Sequence, residues 1–404
     1  VRRQTIGVSF IYCTCRDAAS IASAATAPCA AHRFRAYSNT VITMHKTAMA
    51  QKAEVHRLES ADEFTEFVYE HGWTDGLPVF PPTRKVVGEM LEYLRRDPEE
   101  VLGTIFPADG EATIENIVAN CAMAGCLPQY APVVLAAVEA LVDPEFPINT
   151  TQSTGSASIF TLVSGPVVND LKFHTREWIF GPNGGRANAT IGRAIRLILW
   201  NIGRAHPGKL IKGTMGHPTA WSYCIGEERE LAPWGPMHTD FGIDAADSAV
   251  TVMKAGEHSQ LAVPINTVGL NECITLLARG IGRVGLSTSG GQRGYIYVIN
   301  PTLAQAFAQA GYTRNQLRAA IAERARKYSY DWQNDQKQGA AAPFPDPYTK
   351  TPSERPMFVA PVTPDEIHVA VGGGQAPQMG QCVSISSRSS VGKPMVAKKI
   401  RFPA

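Results

Sequence analysis

Glycine and proline constrain this chain more than any other feature. It has 404 residues, of which 35 are Gly and 28 are Pro. Much of that content gathers in Gly72–Thr83, Gly181–Gly192, Gly203–Gly216 and the segment after Lys337. Proline interrupts helices and central strands, and glycine marks tight turns. The chain is therefore cut into short apolar segments joined by ordered loops, which argues against a coiled coil. Charged residues make up only 18%, and 38 basic residues stand against 36 acidic ones. Such a balance points to neither nucleic acid nor an anionic membrane as a partner. No apolar run reaches the ~18 residues needed to span a bilayer. A globular, loop-rich, enzyme-like protein is expected.

Residues 1–55 read differently from the rest. Up to Ala53 they carry seven Lys or Arg and one acid, Asp17, amid Ala, Ser and Thr. Without a sustained period of 3.6 or 2.0 there is no face to bury. The expectation is a non-structural extension: an over-long reading frame with Met44 and Met49 near its end, or a transit-type leader. Past this stretch the cysteines are Cys121, Cys126, Cys224, Cys273 and Cys382, sparse and without a Cys-x-x-Cys pair. This fits a reducing, cytoplasmic setting and gives no reason to expect a structural zinc site; a His/Glu metal site in residues 213–238 is conceivable but matches no standard spacing, so no metal is expected.

Residues 56–336 read as an α/β core. Ser60-Ala-Asp-Glu63 has the form of a capping box, and its helix stops at His71-Gly72. Thr83 caps a second helix reaching about Arg96. Glu111 to Gly125 reads as a helix ending at glycine, and Ala131 to Val142 as a helix so apolar that it belongs at the centre. Further helices are expected at Ala189–Ile202, Asn271–Ile281, Leu303–Ala310 and Arg314–Tyr328. Strands stand out at Ile159–Val163, Ala249–Met253, Tyr295–Ile299 and Ile367–Val371. Residues 337–404 read as a Pro-rich linker and a strand segment that completes the core.

An internal echo links two of these strands. Ser153-Thr154-Gly155, a strand and Gly165-Pro166 match Thr288-Ser-Gly290, a strand and Asn300-Pro301, with thirteen steps from hydroxyl to proline in both. Chance similarity of two βα units is one reading. A duplicated α/β core is the other, its loops with Ser153 and Thr154 meeting at one pocket, where open α/β sheets bind ligands.

Three stretches could carry chemistry. In Phe180–Arg196 a glycine-rich turn feeds a helix start, where free N–H groups favour an anion. Arg186 and Arg193 add charge, and Asn188 serves as a cap or a substrate contact. The spacing is not that of a dinucleotide loop, so a small anion is expected, unless the segment is only a tightly packed helix cap. Residues 213–238 hold His217, His238, Cys224, Glu227, Glu228, Glu230, Trp221 and Trp234 in a long irregular segment. There Glu227 or Glu228 suits acid–base work, His238 a proton shuttle, and Cys224 a nucleophile or a buried inert thiol. Glu228 and Glu230 read equally well as solvent-facing charge. Third, Asp75 in Trp73-Thr-Asp-Gly76 is a catalytic carboxylate or an Asx-turn former. Cys121 and Cys126, five apart, could not readily bridge while both are helical. Cys126 follows Gly125 and is an exposed thiol or part of the core.

These segments carry a family resemblance. Gly72–Thr83, Met123-Ala-Gly-Cys126 with the run through Phe146, Arg186–Ala194, and Tyr223-Cys224 with Glu227, Trp234 and His238 resemble a bacterial family. Its members are companions, encoded beside or fused, of (seleno)proteins named for a Sec/Cys-Gly-Ser-Cys motif. Those proteins are distantly similar to the selenoprotein subunit of glycine, betaine and D-proline reductases. The likeness runs from about Phe64 to the C-terminus. It implies that a partner chain supplies the redox thiol or selenol, since Cys-Gly-Ser-Cys does not occur here. At Gly235 and Glu228 the chain departs from that family's acidic and amide residues, which favours Glu227 and His238 as the proton-moving pair.

The first expectation is thus an oxidoreductase-like component that acts on a small anionic substrate with a thiol or selenol redox partner. Arg186, Asn188, Arg193, Trp73, Trp234, Ser153 and Thr154 would bind; Cys224, Glu227, His238, Cys126 and Asp75 would react. A redox-independent hydrolase or lyase and a non-catalytic binding subunit are the alternatives. The sequence names no cofactor and leaves oligomeric state open.

Overall fold

A computed structural model describes residues 56–149, 157–283, 292–330, 357–376, 379–389 and 392–403. Residues 1–55, Ser153, Thr154, residues 284–291 with the Thr288–Gly290 copy of the echo, and the proline-rich Lys337–Pro356 lie outside the described residues.

The first helices follow their caps. Ser60 accepts the Glu63 N–H to start α1 (Ala61–Glu70); the Glu63 carboxylate turns back to the Glu59 N–H rather than that of Ser60. Thr83 caps α2 (Arg84–Leu94), which buries Val87, Met90, Leu91 and Leu94. The helix expected from Glu111 starts later. Gly110–Thr113 forms β2, paired antiparallel with β1 (Val101–Ile105), and Thr113 then caps α3 (Ile114–Ala124). A Cβ on Gly110 would lie 2.1 Å from the Ile202 carbonyl oxygen; its glycine serves close approach rather than a helix. The apolar helix α4 (Ala131–Leu141) buries every residue except Glu139.

Two four-stranded sheets form the centre. One contains β3 (Ser158–Ser164), β4 (Cys224–Gly226), β5 (Ala249–Ala255) and β12 (Met395–Lys399), in the order β12-β5-β3-β4. The other contains β6 (Glu257–Val263), β7 (Gln292–Ile299), β10 (Ile367–Val371) and β11 (Gly380–Ser389), in the order β10-β7-β11-β6. In each sheet one inner strand pairs parallel with an edge strand and antiparallel with the other inner strand. The outer pairs, β12 with β5 and β6 with β11, are antiparallel in both. So β3 stands where β7 stands, β4 where β10 does, β5 where β11 does and β12 where β6 does. The chain also crosses over twice. After β5 it enters the second sheet as β6, and after β11 it returns to the first as β12.

Strand alternation sorts the core into layers. Phe160 and Leu162 of β3, Met253 of β5, Ile296 and Val298 of β7 and Val383 and Ile385 of β11 pack between the sheets. The alternate residues face helices. Ile159, Val163, Val250 and Val252 meet α3, α4 and α6 (Arg186–Asn201). Tyr295, Tyr297, Ile299, Val369 and Cys382 meet α7 (Ile265–Arg283), α8 (Pro301–Gln309) and α9 (Arg314–Arg324). The α/β architecture is therefore helix–sheet–sheet–helix.

Three further boundaries differ from expectation. Gly185, not a side chain, occupies the N-cap of α6, and Asn188 lies inside the helix. Helix α7 is interrupted at Gly269, where φ is 73°. Helix α9 ends at Arg324, because Arg326–Tyr330 leaves as β8 to pair with β9 (Met357–Pro361). The short α5 (Val167–Asp170) follows β3 directly. Among the described residues no helix is long and apolar enough to cross a membrane.

Candidate functional site

The expected anion loop at α6 is occupied by the protein itself. Arg186 directs Nε and Nη2 to the Gly125 carbonyl, at 3.1 and 2.9 Å. That carbonyl closes the C-terminal end of α3, so Arg186 acts as a cationic cap there. Arg193 grips Asp75 with Nε 3.0 Å from Oδ2 and Nη2 2.7 Å from Oδ1, and also reaches the Leu77 and Pro78 carbonyls. Asn188 exchanges two bonds of 2.9 Å with the backbone of His174. Asp75 also accepts the Leu77 N–H, the Asx-type contact of a turn former. Trp73 packs beside Phe67 and His71 under the same loop. Arg193, with Trp200 and Asn201 bonding the Gly72 and Trp73 carbonyls, clamps the Gly72–Thr83 loop onto α6, while Arg186 and Asn188 tie the same helix to Gly125 and His174.

The thiols are buried. Cys224 sits on β4 in the core, and burial pushes its pKa up, with Cys126 nearby adding to the rise. Cys126 is 5% exposed. Neither thiol is open enough to meet a bulky substrate.

A different constellation gathers where β4 meets the second sheet. The Glu227 N–H bonds the Val163 carbonyl of β3, and the Glu228 N–H bonds the Val371 carbonyl of β10. The tail of β4 thus links the two sheets. Both glutamates are buried at 3% exposure, which corrects the solvent-facing reading of Glu228; Glu230 is exposed. Glu228 accepts from Thr175 Oγ1 at 2.5 Å and from the N–H groups of Glu230 and Leu231. Burial alone would raise its pKa, but those donors and Arg176 outweigh it and hold the carboxyl low. Glu227 accepts the Met237 N–H, 2.9 and 3.1 Å from its two oxygens. Here burial wins over that bond, the more distant Arg314 and the Val371 backbone, and the pKa is pushed up to about 7.

Met237 begins a 3-10 turn, Met237–Phe241, that brings His238 and Asp240 into the same region. His238 Nε2 faces the Asp244 carbonyl at 2.9 Å, so that nitrogen donates. Nδ1 is then the acceptor for the Ser164 hydroxyl, 2.7 Å away at the end of β3. Burial lowers the His238 pKa and keeps the ring neutral. Asp240 meets three cationic or donor groups: His368 Nδ1 at 2.9 Å, Arg318 Nη1 at 3.2 Å and Arg314 Nη2 at 3.3 Å. Burial alone would raise Asp240, but the His368 bond and the two guanidinium groups together hold it below the usual carboxylate range.

Above this network lies an open depression of about 480 Å³. Trp234, Thr239 and Asp240 line one side; Thr313, Arg314 and Arg318 line the other, at the N-terminal end of α9. Trp234 is fixed by its Nε1 donating to the Tyr312 carbonyl. Arg314 is held by the Gly235 carbonyl and Thr239 Oγ1, both at 2.6 Å, while its Nε is buried with no hydrogen-bond partner. Both guanidinium groups meet Asp240, and Arg318 also reaches the Pro364 carbonyl, Asn315 Oδ1 and, at 3.8 Å, the exposed Asp365. The unpartnered Arg314 Nε beside an indole face is a feature that can receive a small anion.

Of the sequence-derived candidates, Glu227, His238 and Trp234 come together here. Asp75, Arg193, Arg186, Asn188 and Trp73 belong to the α6 clamp, away from the lining. Arg314, Arg318, Asp240, His368 and Ser164 escaped the sequence reading. The available signal was Arg314 and Arg318, one helical turn apart just after the Thr313 cap. Among the described residues no group of three His, Cys, Asp or Glu side chains is arranged as metal ligands. No protein-family model matches the chain, and no curated protein matches it.

Proposed function

We infer that the chain is an enzyme component acting on a small anionic substrate, held in the depression between Trp234 and α9. The observation that carries this reading is Arg314, which faces the depression beside Arg318 and Asp240 with its Nε buried and unpartnered. A carboxylate or phosphate there would supply that nitrogen with an acceptor and add to the negative charge of Asp240 and the exposed Asp365. Glu227, with a pKa near neutrality, suits a general acid or base, since catalytic groups work best close to the operating pH. It lies beneath the lining, one N–H bond from the turn that carries Thr239 and Asp240.

An oxidoreductase-like role with a thiol or selenol partner rests on the resemblance of the sequence motifs. The burial of Cys224 agrees with a substrate-reacting thiol supplied from outside. The equal order of the two sheets supports the duplicated core that the internal echo suggested. A second reading, a hydrolase or lyase that needs no redox partner, draws on the Ser164–His238 hydrogen bond. Neutral His238 could take the Ser164 proton as a base.

A melting-temperature screen with inorganic phosphate and small mono- and dicarboxylates tests the anion site. Binding to the native state raises the midpoint, and the rise should vanish in Arg318→Gln. Rises of equal size in wild type and variant would remove the site from the depression. Copurification of a small Cys- or Sec-containing protein separates the redox role from the hydrolase.

A further inference from the structure

Helix α3 ends in a backbone arrangement that places two cysteines side by side. Gly125 takes the left-handed conformation at φ 85°. Its N–H bonds the Ala122 carbonyl, and the Cys126 N–H bonds the Cys121 carbonyl, both at 2.9 Å. These paired bonds define a Schellman turn, in which the residue after the glycine packs against the residue five before it. Cys126 therefore lies outside the helix, which removes the angular objection to a contact with Cys121. Both cysteines are buried in the same core cluster, and the neighbouring Cys126 together with full burial pushes the Cys121 pKa well up.

We propose that Cys121 and Cys126 are a reversible dithiol–disulfide pair, closed by two-electron oxidation with a hydroperoxide. Cys126, at 5% exposure against 0% for Cys121, is the attacking thiol. Its sulfur bonds the peroxide oxygen as the O–O bond breaks, giving a sulfenic acid and releasing an alcohol or water. The Cys121 sulfur then displaces that hydroxyl as water, forming the S–S bond. Both thiol protons and two electrons pass to the peroxide, and a dithiol reductant reverses the change. The assignment does not rest on the anion site: no residue of the depression takes part.

The chain supplies a convenient cleavage point, because Met123 lies between the two cysteines. The folded, reduced full-length protein is exposed to hydrogen peroxide, quenched, alkylated under denaturing conditions and cut with cyanogen bromide. The expected result is that the fragment ending at Met123 stays joined to the one beginning at Ala124 until reductant is added. Cys273 and Cys382, also buried, should remain alkylatable, and Cys224→Ser should keep the link. Cys121→Ala should abolish it and leave Cys126 as a sulfenic or higher acid. The pair is overturned if Cys121 and Cys126 stay alkylatable in the folded protein, if Cys126 links to Cys224 instead, or if Cys224, Cys273 and Cys382 are lost together with them.

Discussion

Arg193 of α6 and Asp75 of the Gly72–Thr83 loop form a two-pronged ion pair, with Nη2 2.7 Å from Oδ1 and Nε 3.0 Å from Oδ2. The Asp75 side chain is 1% exposed and that of Arg193 15%. Removing one partner leaves the other buried and uncompensated. Asp75→Ala should therefore destabilise the fold by roughly 3–5 kcal/mol, read as a lower urea midpoint. A loss below about 1 kcal/mol, the range of exposed pairs, would show that the loop does not need the clamp.

Asp240 poses the same problem with more partners. Asp240→Asn keeps the shape but removes the charge that Arg314 and Arg318 face. The expected cost is several kcal/mol, on the order of the buried-pair figure. It should shrink when phosphate is added, because the anion would restore the lost charge. A cost that phosphate leaves unchanged would argue that the two arginines serve Asp240 alone.

Glu227 predicts an unusual pH dependence. Its folded pKa is about 7 against an ordinary 4.5, so between those values the native state binds the extra proton. Stability contributed by this group is then greatest at the acid end and falls as pH rises through that window. The span corresponds to at most about 3 kcal/mol. Glu227→Gln keeps the size of the side chain and cannot ionise. Its denaturant midpoint should be flatter than that of wild type from pH 5 to pH 8, and parallel curves for the two proteins would refute the burial argument.

Gly192 tests how α6 packs on β4. A Cβ there would lie 2.4 Å from Ser222 Oγ, 2.9 Å from the Tyr223 nitrogen and 3.1 Å from the Cys224 Cβ. Two of the three obstacles cannot rotate away. Gly192→Ala, though favourable for helix propensity by nearly 1 kcal/mol, should lower the melting temperature. A raised melting temperature would mean that helix and strand lie further apart than described.

Much of the framework was legible in the sequence. Ser60 and Thr83 mark helix starts because a hydroxyl at the N-cap answers a local need. The strands at 158–164, 249–255 and 367–371 stand out because apolar runs buried on both faces look alike in any context. Strands β6, β11 and β12 were missed for the opposite reason. Their polar residues, such as Ser384 and Ser386, are buried only by the other sheet and by helices distant in sequence. The site was half legible. Glu227 and His238 draw notice as titratable groups in an irregular segment. Nothing local could say that Arg186 and Arg193 would be taken by Gly125 and Asp75, 61 and 118 residues away. Nor could it say that Arg314 and Arg318 would face Asp240.

The most direct test of the anion site is calorimetric titration of inorganic phosphate into wild type, Arg314→Gln and Arg318→Gln. Each lost charge-assisted hydrogen bond is worth about 1.5–3 kcal/mol, so each variant should weaken binding by roughly tenfold or more. Saturable binding to wild type, lost in both variants while circular dichroism stays native, is the predicted result. No binding to wild type, or equal affinity in all three proteins, would contradict the account.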